Sequence, residues 1–313
     1  MSIGAANRYN VPKETHQPMK SCDILDLIGN TPLVRLRNEN IIAKAEFLNP
    51  GGSIKDRIAL SMIESAEHDG TLTPGMKIIE PTSGNTGIGI TLVGRAKGYD
   101  VTIVMPEGMS EERKNIIKVL GGNLVLTPDS ESIAGAVRKA EQLVAETGGI
   151  MLQQFKNPNN VRAHYEYTAP ELWRQAGDRI DAFISGIGSG GTIQGIGSFL
   201  KKNNPEVTII AVEPKNVSAL LGHEPGLHQI QGIGDGFIPD ILDVGLVDVI
   251  IEVTDDDAIG TTRELAASNS LLCGTSSGAN VWAARQIAKQ HPDWVIATVL
   301  PDRAERYFST GLL

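Results

Sequence analysis

Short runs of β-branched and other apolar residues alternate along the chain with longer stretches in which apolar residues recur every three or four positions. The short runs are typical of buried strands, and the longer stretches are typical of amphipathic helices. Their alternation predicts βαβ units, and therefore an α/β fold with mostly parallel sheets. The predicted strands cover residues 77–80, 101–105, 124–126, 182–185, 208–213, 247–253 and 295–300.

Capping signals place helices between these strands. Ser110 is expected to cap a helix that ends at the glycine pair 121–122, and Thr254 with Asp257 has the pattern of a capping box. The glycine-rich segment 222–239 is predicted to be irregular. Helices are predicted over residues 56–68, 85–98, 110–121, 133–146, 192–202 and 277–290, with a further helix after Thr254.

The composition is that of an ordinary globular protein, with 41% hydrophobic and 21% charged residues among 313. The net charge is −9 and the basic residues are scattered, so no nucleic-acid partner is expected. No apolar run is long enough to span a membrane, and residues 1–20, which lack a signal-peptide pattern, are predicted to form a flexible arm. Cys22 and Cys273 have no disulfide or metal-ligand spacing, so we expect no metal and a cytoplasmic location.

Three predicted strand-to-helix turns are rich in small residues. One such turn often only lets a helix pack close to a strand, but three favour a ligand cleft at the carboxyl ends of the strands. Residues 186–191 match G-x-G-x-x-G, and Glu213 stands where a dinucleotide-binding fold places its ribose-binding acid. A glycine turn at a helix N-terminus binds phosphate in either case, so an NAD-dependent dehydrogenase stays open at this point.

Two further patterns carry less weight. Residues 274–278 match the G-x-S-x-G of α/β-hydrolases, but the only histidine that follows is His291, and no acidic residue precedes it within that stretch. His223 and His228 have the wrong spacing for a zinc helix, and a proline-glycine pair between them would break such a helix. We interpret both histidines as loop residues.

Two segments decide between these interpretations. Residues 49–57 read NPGGSIKDR and residues 81–87 read PTSGNTG, and together they strongly resemble the cysteine synthase (O-acetylserine sulfhydrylase) family. That family belongs, with cystathionine β-synthase, to the tryptophan-synthase-like enzymes that use pyridoxal 5'-phosphate. The resemblance disfavours a dehydrogenase, which leaves Lys55 without a role. It runs from Ile24 to the end of the chain and includes residues 151–155, 186–192, 231–237 and 274–278.

Lys55 is the central residue of this resemblance, which implies that it holds the cofactor as a Schiff base and later removes the substrate α-proton. It precedes a helical pattern whose Ile58, Met62 and Ala66 form an apolar face, and a helix N-terminus disfavours an ammonium group. The implied cofactor contacts are Lys55, Asn85, Gly188, Ser189, Gly190, Gly191, Thr192 and Ser276. The implied substrate contacts are Thr82, Ser83, Asn85, Thr86, Gln154 and Gly232.

The resemblance also implies two three-layer α/β domains with the cofactor in the cleft between them. A smaller, mobile domain of residues 48–157 would bind the substrate carboxylate, and a larger domain of residues 1–47 plus 158–313 would bind the cofactor phosphate. The polar sequence NPNN at 157–160 would mark the boundary. A homodimer and a serine acetyltransferase partner are further implications.

Synthesis of cysteine from O-acetylserine and sulfide, through an aminoacrylate, is the leading hypothesis. Asp235 departs from it, because cysteine-making members usually carry a small residue between the surrounding glycines. A catalytic carboxylate there would assist water addition at the β-carbon and repel hydrosulfide, which favours a cysteine lyase that forms serine. The alternative, that Asp235 is an ordinary rim carboxylate that faces water, is equally well supported.

Cystathionine β-synthase and a catalytically silent pyridoxal-phosphate protein also stay open. Residues 37–40 make a connection between the first two strands that is shorter than is typical of the family. Asp302 and Arg303 stand where many members have smaller residues, and no consequence of them is predicted.

Overall fold

The computed structural model describes residues 22–224 and 226–313, and the arm predicted over residues 1–20 lies outside this part of the chain. Its strands are β1 (Leu33–Arg35), β2 (Ile41–Lys44), β3 (Lys77–Pro81), β4 (Asp100–Pro106), β5 (Asn123–Thr127), β6 (Ala182–Gly186), β7 (Thr208–Pro214), β8 (Val249–Val253) and β9 (Ile296–Val299).

These strands form two sheets. One sheet has the order β1-β2-β9-β6-β7-β8, and the other has the order β3-β4-β5. All neighbouring strands pair in parallel except β1 and β2, which form an antiparallel hairpin. The predicted α/β class with mostly parallel sheets is confirmed.

Helices cover the faces of both sheets. They are α1 (Lys55–His68), α2 (Asn85–Ala96), α3 (Glu111–Val119), α4 (Ser132–Thr147), α5 (Pro158–Ala163), α6 (Ala169–Gln175), α7 (Gly191–Asn203), α8 (Asp255–Asn269) and α9 (Thr275–Gln290). A short π-helix (His164–Thr168) joins α5 to α6. None of the helices in the described ranges is both long and apolar enough to cross a bilayer.

The apolar side chains whose pattern predicted these elements are buried and form separate clusters. All four residues of β9 are buried, as expected for a parallel strand that is covered on both faces. Ile58, Met62 and Ala66 of α1 pack with apolar residues of α2, β3 and β4, so the predicted apolar face is confirmed. Two further clusters lie on either side of the six-stranded sheet.

The structure corrects the prediction mainly at short elements and caps. The hydrophobic pattern missed α5 and α6, because elements of 6 and 7 residues are too short to show a helical period. Ser110 occupies the N-cap position of α3, but its hydroxyl accepts a bond from Arg113 rather than from a backbone N–H. Thr254 caps α8 as predicted, with Oγ1 accepting from the backbone N of Asp257 at 3.2 Å.

Helices α8 and α9 approach each other closely at Gly278. A Cβ at this position would lie 2.1 Å from the carbonyl oxygen of Ala258 and 2.1 Å from Thr262 Oγ1. The glycine therefore permits the close contact of two helices, and this contact fixes the start of α9, where Ser276 lies.

We expect Gly278→Ala to destabilise the fold by about 1–3 kcal/mol, because the methyl group overpacks this contact. Gly260→Ala in α8 is the matched control. A Cβ there meets nothing within 4 Å, so helix propensity should stabilise the protein by about 0.5–1 kcal/mol. Urea unfolding of both variants measures the difference, and equal effects of the two substitutions would contradict this assignment of Gly278.

Candidate active site

The carboxyl ends of strands from both sheets open on one cavity of about 360 Å³. The turns after β3, β6 and β9 contribute to its walls, as expected for ligand sites of parallel sheets. All but one of the residues predicted to bind cofactor or substrate line this cavity. The exception is Gly191, which packs behind the loop against Asn160.

Lys55 is the first residue of α1 and faces this cavity. Its Nζ donates a hydrogen bond to Ser189 Oγ at 3.2 Å. Desolvation by the surrounding protein lowers the pKa of Lys55 to about 8, and the charge of Asp235 opposes that shift. The lowered pKa favours the neutral amine, which suits a group that acts as a nucleophile or a base.

The turn between β3 and α2 lines the same cavity, and hydrogen bonds within the protein fix its shape. Thr86 Oγ1 donates to Gln154 Oε1 at 2.6 Å, and the backbone N of Gly84 donates to Thr82 Oγ1 at 3.2 Å. Helix α2 begins here at Asn85, and its first backbone N–H groups lack partners within the helix. Together with the positive end of the helix, these donors can bind a carboxylate.

Glu80 holds the loop of residues 152–154, which is bonded to this turn through Gln154 and Thr86, and was missed by the sequence reasoning. Its buried carboxylate accepts from the backbone N atoms of Leu152, Gln153 and Gln154, at 2.8, 3.1 and 3.3 Å. Desolvation outweighs these bonds and raises the pKa of Glu80 to about 7. The loop of residues 152–154 needs such support, because Gln153 has a φ of 57°, which residues other than glycine rarely adopt.

The glycine loop between β6 and α7 forms the opposite wall. Gly190 adopts a φ of 83°, and a Cβ at Gly188 would lie 2.4 Å from the carbonyl oxygen of Gly232. The loop reads GSGGT from residue 188, without a cationic side chain, and α7 starts within it. Its backbone N–H groups and the helix N-terminus can therefore bind a phosphate without a neighbouring charge.

Asn160 connects the two walls. It is fully buried, and its Nδ2 donates to Ser189 Oγ at 2.9 Å and to the carbonyl oxygen of Gln154 at 2.8 Å. The sequence reasoning interpreted residues 157–160 as the domain boundary and gave Asn160 no role. No local signal marked it, because α5 was itself missed and the burial of the amide is visible only in the fold.

Asp235 lies in an irregular loop on a third side of the cavity. Water reaches its side chain through the cavity, yet the surrounding walls desolvate it and raise its pKa, while the charges of Lys55 and His228 act in the opposite direction. His228 Nε2 lies 2.9 Å from the carbonyl oxygen of Gly234, the residue before Asp235. Ser276, at the start of α9, lines the same cavity and is 3% exposed.

Asp302, for which no consequence was predicted, contacts a predicted site residue. Its side chain is buried, and its Oδ2 accepts from Asn85 Nδ2 at 2.6 Å. No local motif could reveal this contact, because the two residues are 217 positions apart. Arg303 lies beside the site, and its Nε donates to the carbonyl oxygen of Phe47 at 2.9 Å.

Neither a metal site nor the cavity beside Arg57 competes with this site. Within the described residues, no group of three or more His, Cys, Asp or Glu side chains could hold a metal ion. A cavity of about 630 Å³ is lined by Arg57 and Glu171, but these two charges already pair with each other at 2.7 Å.

Comparison with known proteins decides the family. The family model for "Pyridoxal-phosphate dependent enzyme" matches residues 24–302. The chain belongs to this family. Its cofactor is pyridoxal 5'-phosphate. A cysteine synthase of Staphylococcus aureus (strain N315) is 49% identical over 298 residues, which cover 93% of this chain and 96% of the relative.

Solved structures of the family agree with the fold. O-Acetyl Serine Sulfhydrylase isoform 3 from Entamoeba histolytica is similar with a TM-score of 0.89 at 40% identity, over 97% of this chain and 94% of that chain. A hydrogen sulfide-producing enzyme from Fusobacterium nucleatum is similar with a TM-score of 0.89 at 39% identity, over 92% of this chain and 100% of that chain.

The residues of the cavity fit the family's cofactor. Its aldehyde needs an amine with a neutral fraction, which Lys55 has. Its phosphate needs backbone donors that no side chain obstructs, and the glycine loop provides them. Its ring carries polar atoms that need hydrogen-bond partners, and Asn85 and Ser276 both line the cavity.

Proposed function

We propose that this chain is a cysteine synthase, which replaces the acetate of O-acetylserine with sulfide to form cysteine. One observation carries the proposal: a single cavity combines a lysine of lowered pKa, a glycine loop suited to phosphate, and a separate group of donors suited to a carboxylate. The cysteine synthase and the sulfhydrylase named above support the choice of substrates.

Lys55 is the proposed covalent anchor and base. When bound, pyridoxal phosphate withdraws electrons from the substrate α-carbon, which eases the loss of the α-proton and then of the β-substituent. The Nζ of Lys55 accepts that proton, because desolvation keeps part of the amine neutral. Its hydrogen bond to Ser189 Oγ, at 3.2 Å, keeps the amine at the cavity wall.

The substrate carboxylate is proposed to bind Thr82, Ser83, Asn85, Thr86 and Gln154. Thr86 Oγ1 donates to the Oε1 atom of Gln154, so the Nε2 of Gln154 is left to donate to the substrate. Gly232 lies opposite, where a side chain would reduce the room for the substrate β-substituent.

The cofactor is proposed to lie between the glycine loop and α9. Gly188, Ser189, Gly190, Gly191 and Thr192 hold the phosphate through backbone N–H groups at the start of α7. The hydroxyl of Ser276 would bind the pyridine nitrogen when the cofactor is present. Unlike an aspartate, a serine would not keep that nitrogen protonated, which would favour expulsion of the β-substituent.

The proposed domains follow the two sheets. Strands β3, β4 and β5 lie within residues 48–157, the proposed mobile substrate domain. The strands of the other sheet lie within residues 1–47 and 158–313, the proposed cofactor domain. A cytoplasmic homodimer with a serine acetyltransferase partner completes the proposal, on the strength of the family resemblance.

The purified enzyme should form cysteine and acetate from O-acetylserine and sulfide. O-Phosphoserine, serine and cysteine, assayed in parallel, should react more slowly, because the proposal assigns acetate as the leaving group. Lys55→Ala should lower the rate by about 10³-fold or more, since anchor and base are lost together. Lys118→Ala, at an exposed position on α3, is the matched control. Full activity of Lys55→Ala would contradict the proposal.

A second function is favoured by Asp235. Its carboxylate lies close enough to Lys55 to raise the pKa of that amine, and it is open to water in the cavity. In this position it can accept a proton from water that adds to the substrate β-carbon, so that cysteine yields serine and hydrogen sulfide. The hydrogen sulfide-producing enzyme of Fusobacterium nucleatum is a structural precedent for such an activity.

Asp235→Asn separates the two functions because it removes the charge and keeps the shape. We expect release of sulfide and serine from cysteine to fall by about 10²-fold, and cysteine formation to change much less. Asp240→Asn, at an exposed loop position, controls for the loss of one negative charge. If Asp235→Asn slowed both reactions equally or neither of them, Asp235 would have no part in water addition.

A further inference from the structure

We propose that Asp302 is a positioning residue which, together with Arg306, fixes the orientation of the Asn85 amide toward the cofactor. This inference rests on the proposed function, and it takes Asn85, which the family resemblance implies as a cofactor contact, to bind the phenolic oxygen of pyridoxal phosphate. It assigns a role to a buried carboxylate that has no place in the chemistry described above.

The contacts of the Asn85 amide are made by two charged groups. Asp302 Oδ2 accepts from Asn85 Nδ2 at 2.6 Å, and Arg306 donates to Asn85 Oδ1. Asp302 and Arg306 are 1% and 3% exposed, so the charged partner of each contact is buried, while Asn85 itself is half-buried at the cavity. Each is therefore stronger than the same contact at the protein surface.

These two contacts allow one orientation of the amide. An ionised carboxylate can only accept hydrogen bonds, and a guanidinium can only donate them. Asp302 must therefore face the NH₂ group of Asn85, and Arg306 must face its oxygen. One hydrogen of the NH₂ group bonds Asp302, and the second is left to bond an acceptor in the cavity that Asn85 lines.

Tyr307 stabilises the carboxylate in this arrangement. Its hydroxyl donates to the same Oδ2 of Asp302 at 2.5 Å. Burial, and then the charge of Asp302, raise the pKa of Tyr307 well above its usual value, so the phenol stays a donor. The other oxygen of Asp302, Oδ1, is buried without a hydrogen-bond partner, so the side chain depends on Asn85 and Tyr307.

The backbone of Asp302 makes separate contacts with two other parts of the site. Its carbonyl oxygen accepts from the backbone N of Gly274 at 3.0 Å, next to the turn that carries Ser276. The backbone of Asp302 also forms an antiparallel β-bridge with Ser53, two residues before Lys55. Substitution of the side chain leaves these backbone contacts in place, so its effect reports on the bonds that Oδ2 makes to Asn85 and Tyr307.

The test is a double-mutant cycle on the holoenzyme with Asp302→Ala and Asn85→Ala. Two quantities are measured: the visible absorption maximum of the bound cofactor, and its dissociation constant after apoenzyme reconstitution. Each single variant should shift the band in the same direction and weaken cofactor binding by about tenfold, the effect of one lost hydrogen bond. The double variant should have the absorption maximum and the dissociation constant of Asn85→Ala alone, because Asp302 acts through Asn85.

Two further variants complete the design. Tyr307→Phe removes the other bond to Oδ2. It loosens Asp302 but keeps its bond to Asn85, so the absorption maximum should shift less than in Asp302→Ala. Asp302→Asn keeps the shape but can donate as well as accept, so the amide of Asn85 loses its fixed orientation and a smaller shift in the same direction is expected. It replaces Asp302→Ala in the cycle if the alanine variant does not fold.

The proposal is overturned if Asn85→Ala shifts the band and the Asp302 variant does not, or if the two shifts add. It is also overturned if Tyr307→Phe shifts the band as far as Asp302→Ala, because general packing would then be the cause. An unchanged band in Asn85→Ala would remove Asn85 from the cofactor site, and with it this part of the proposed function.

Discussion

The buried ion pairs of Arg57 fix the first turn of α1, and the position of Lys55 depends on that turn. Arg57 binds both carboxylate oxygens of Glu46 at 2.7 and 2.8 Å, and both of Glu171 at 2.9 and 2.7 Å. Desolvation acts to raise the pKa of Glu171, but its hydrogen bonds and charge contacts with Arg57 and Lys44 lower it to about 2. Removing one partner of such a group typically costs about 3–5 kcal/mol, because a buried charge is left unpaired.

With Lys55 fixed in this way, the two sheets divide the binding work. The small sheet supplies donors for a carboxylate after β3, and the large sheet supplies a glycine cradle after β6. Asn160 hydrogen-bonds to both sides, to Ser189 and to the backbone of Gln154. A movement of one wall therefore strains the other.

Sequence reasoning predicted the parts of the site that depend on local pattern. The glycine loop, the turn at 81–87 and Lys55 each lie at a strand-to-helix junction, where small residues and helix starts are visible in the sequence. It missed Glu80, Asn160 and the contact of Asp302 with Asn85, because these residues join distant segments of the chain. Asn85 and Asp302 are 217 positions apart, and only the fold brings them together. The short helices α5 and α6 were missed for a related reason, since contacts with their neighbours replace a periodic pattern.

The central claim is that Lys55 carries the cofactor in a cavity shared by both sheets. Borohydride reduction of the holoenzyme makes the bond between lysine and cofactor permanent, and peptide mass spectrometry then identifies the modified residue. The account predicts that the added mass lies on the peptide that contains Lys55, and that Lys55→Ala gives no labelled peptide at this position. Label on any other lysine of the native enzyme would contradict the account.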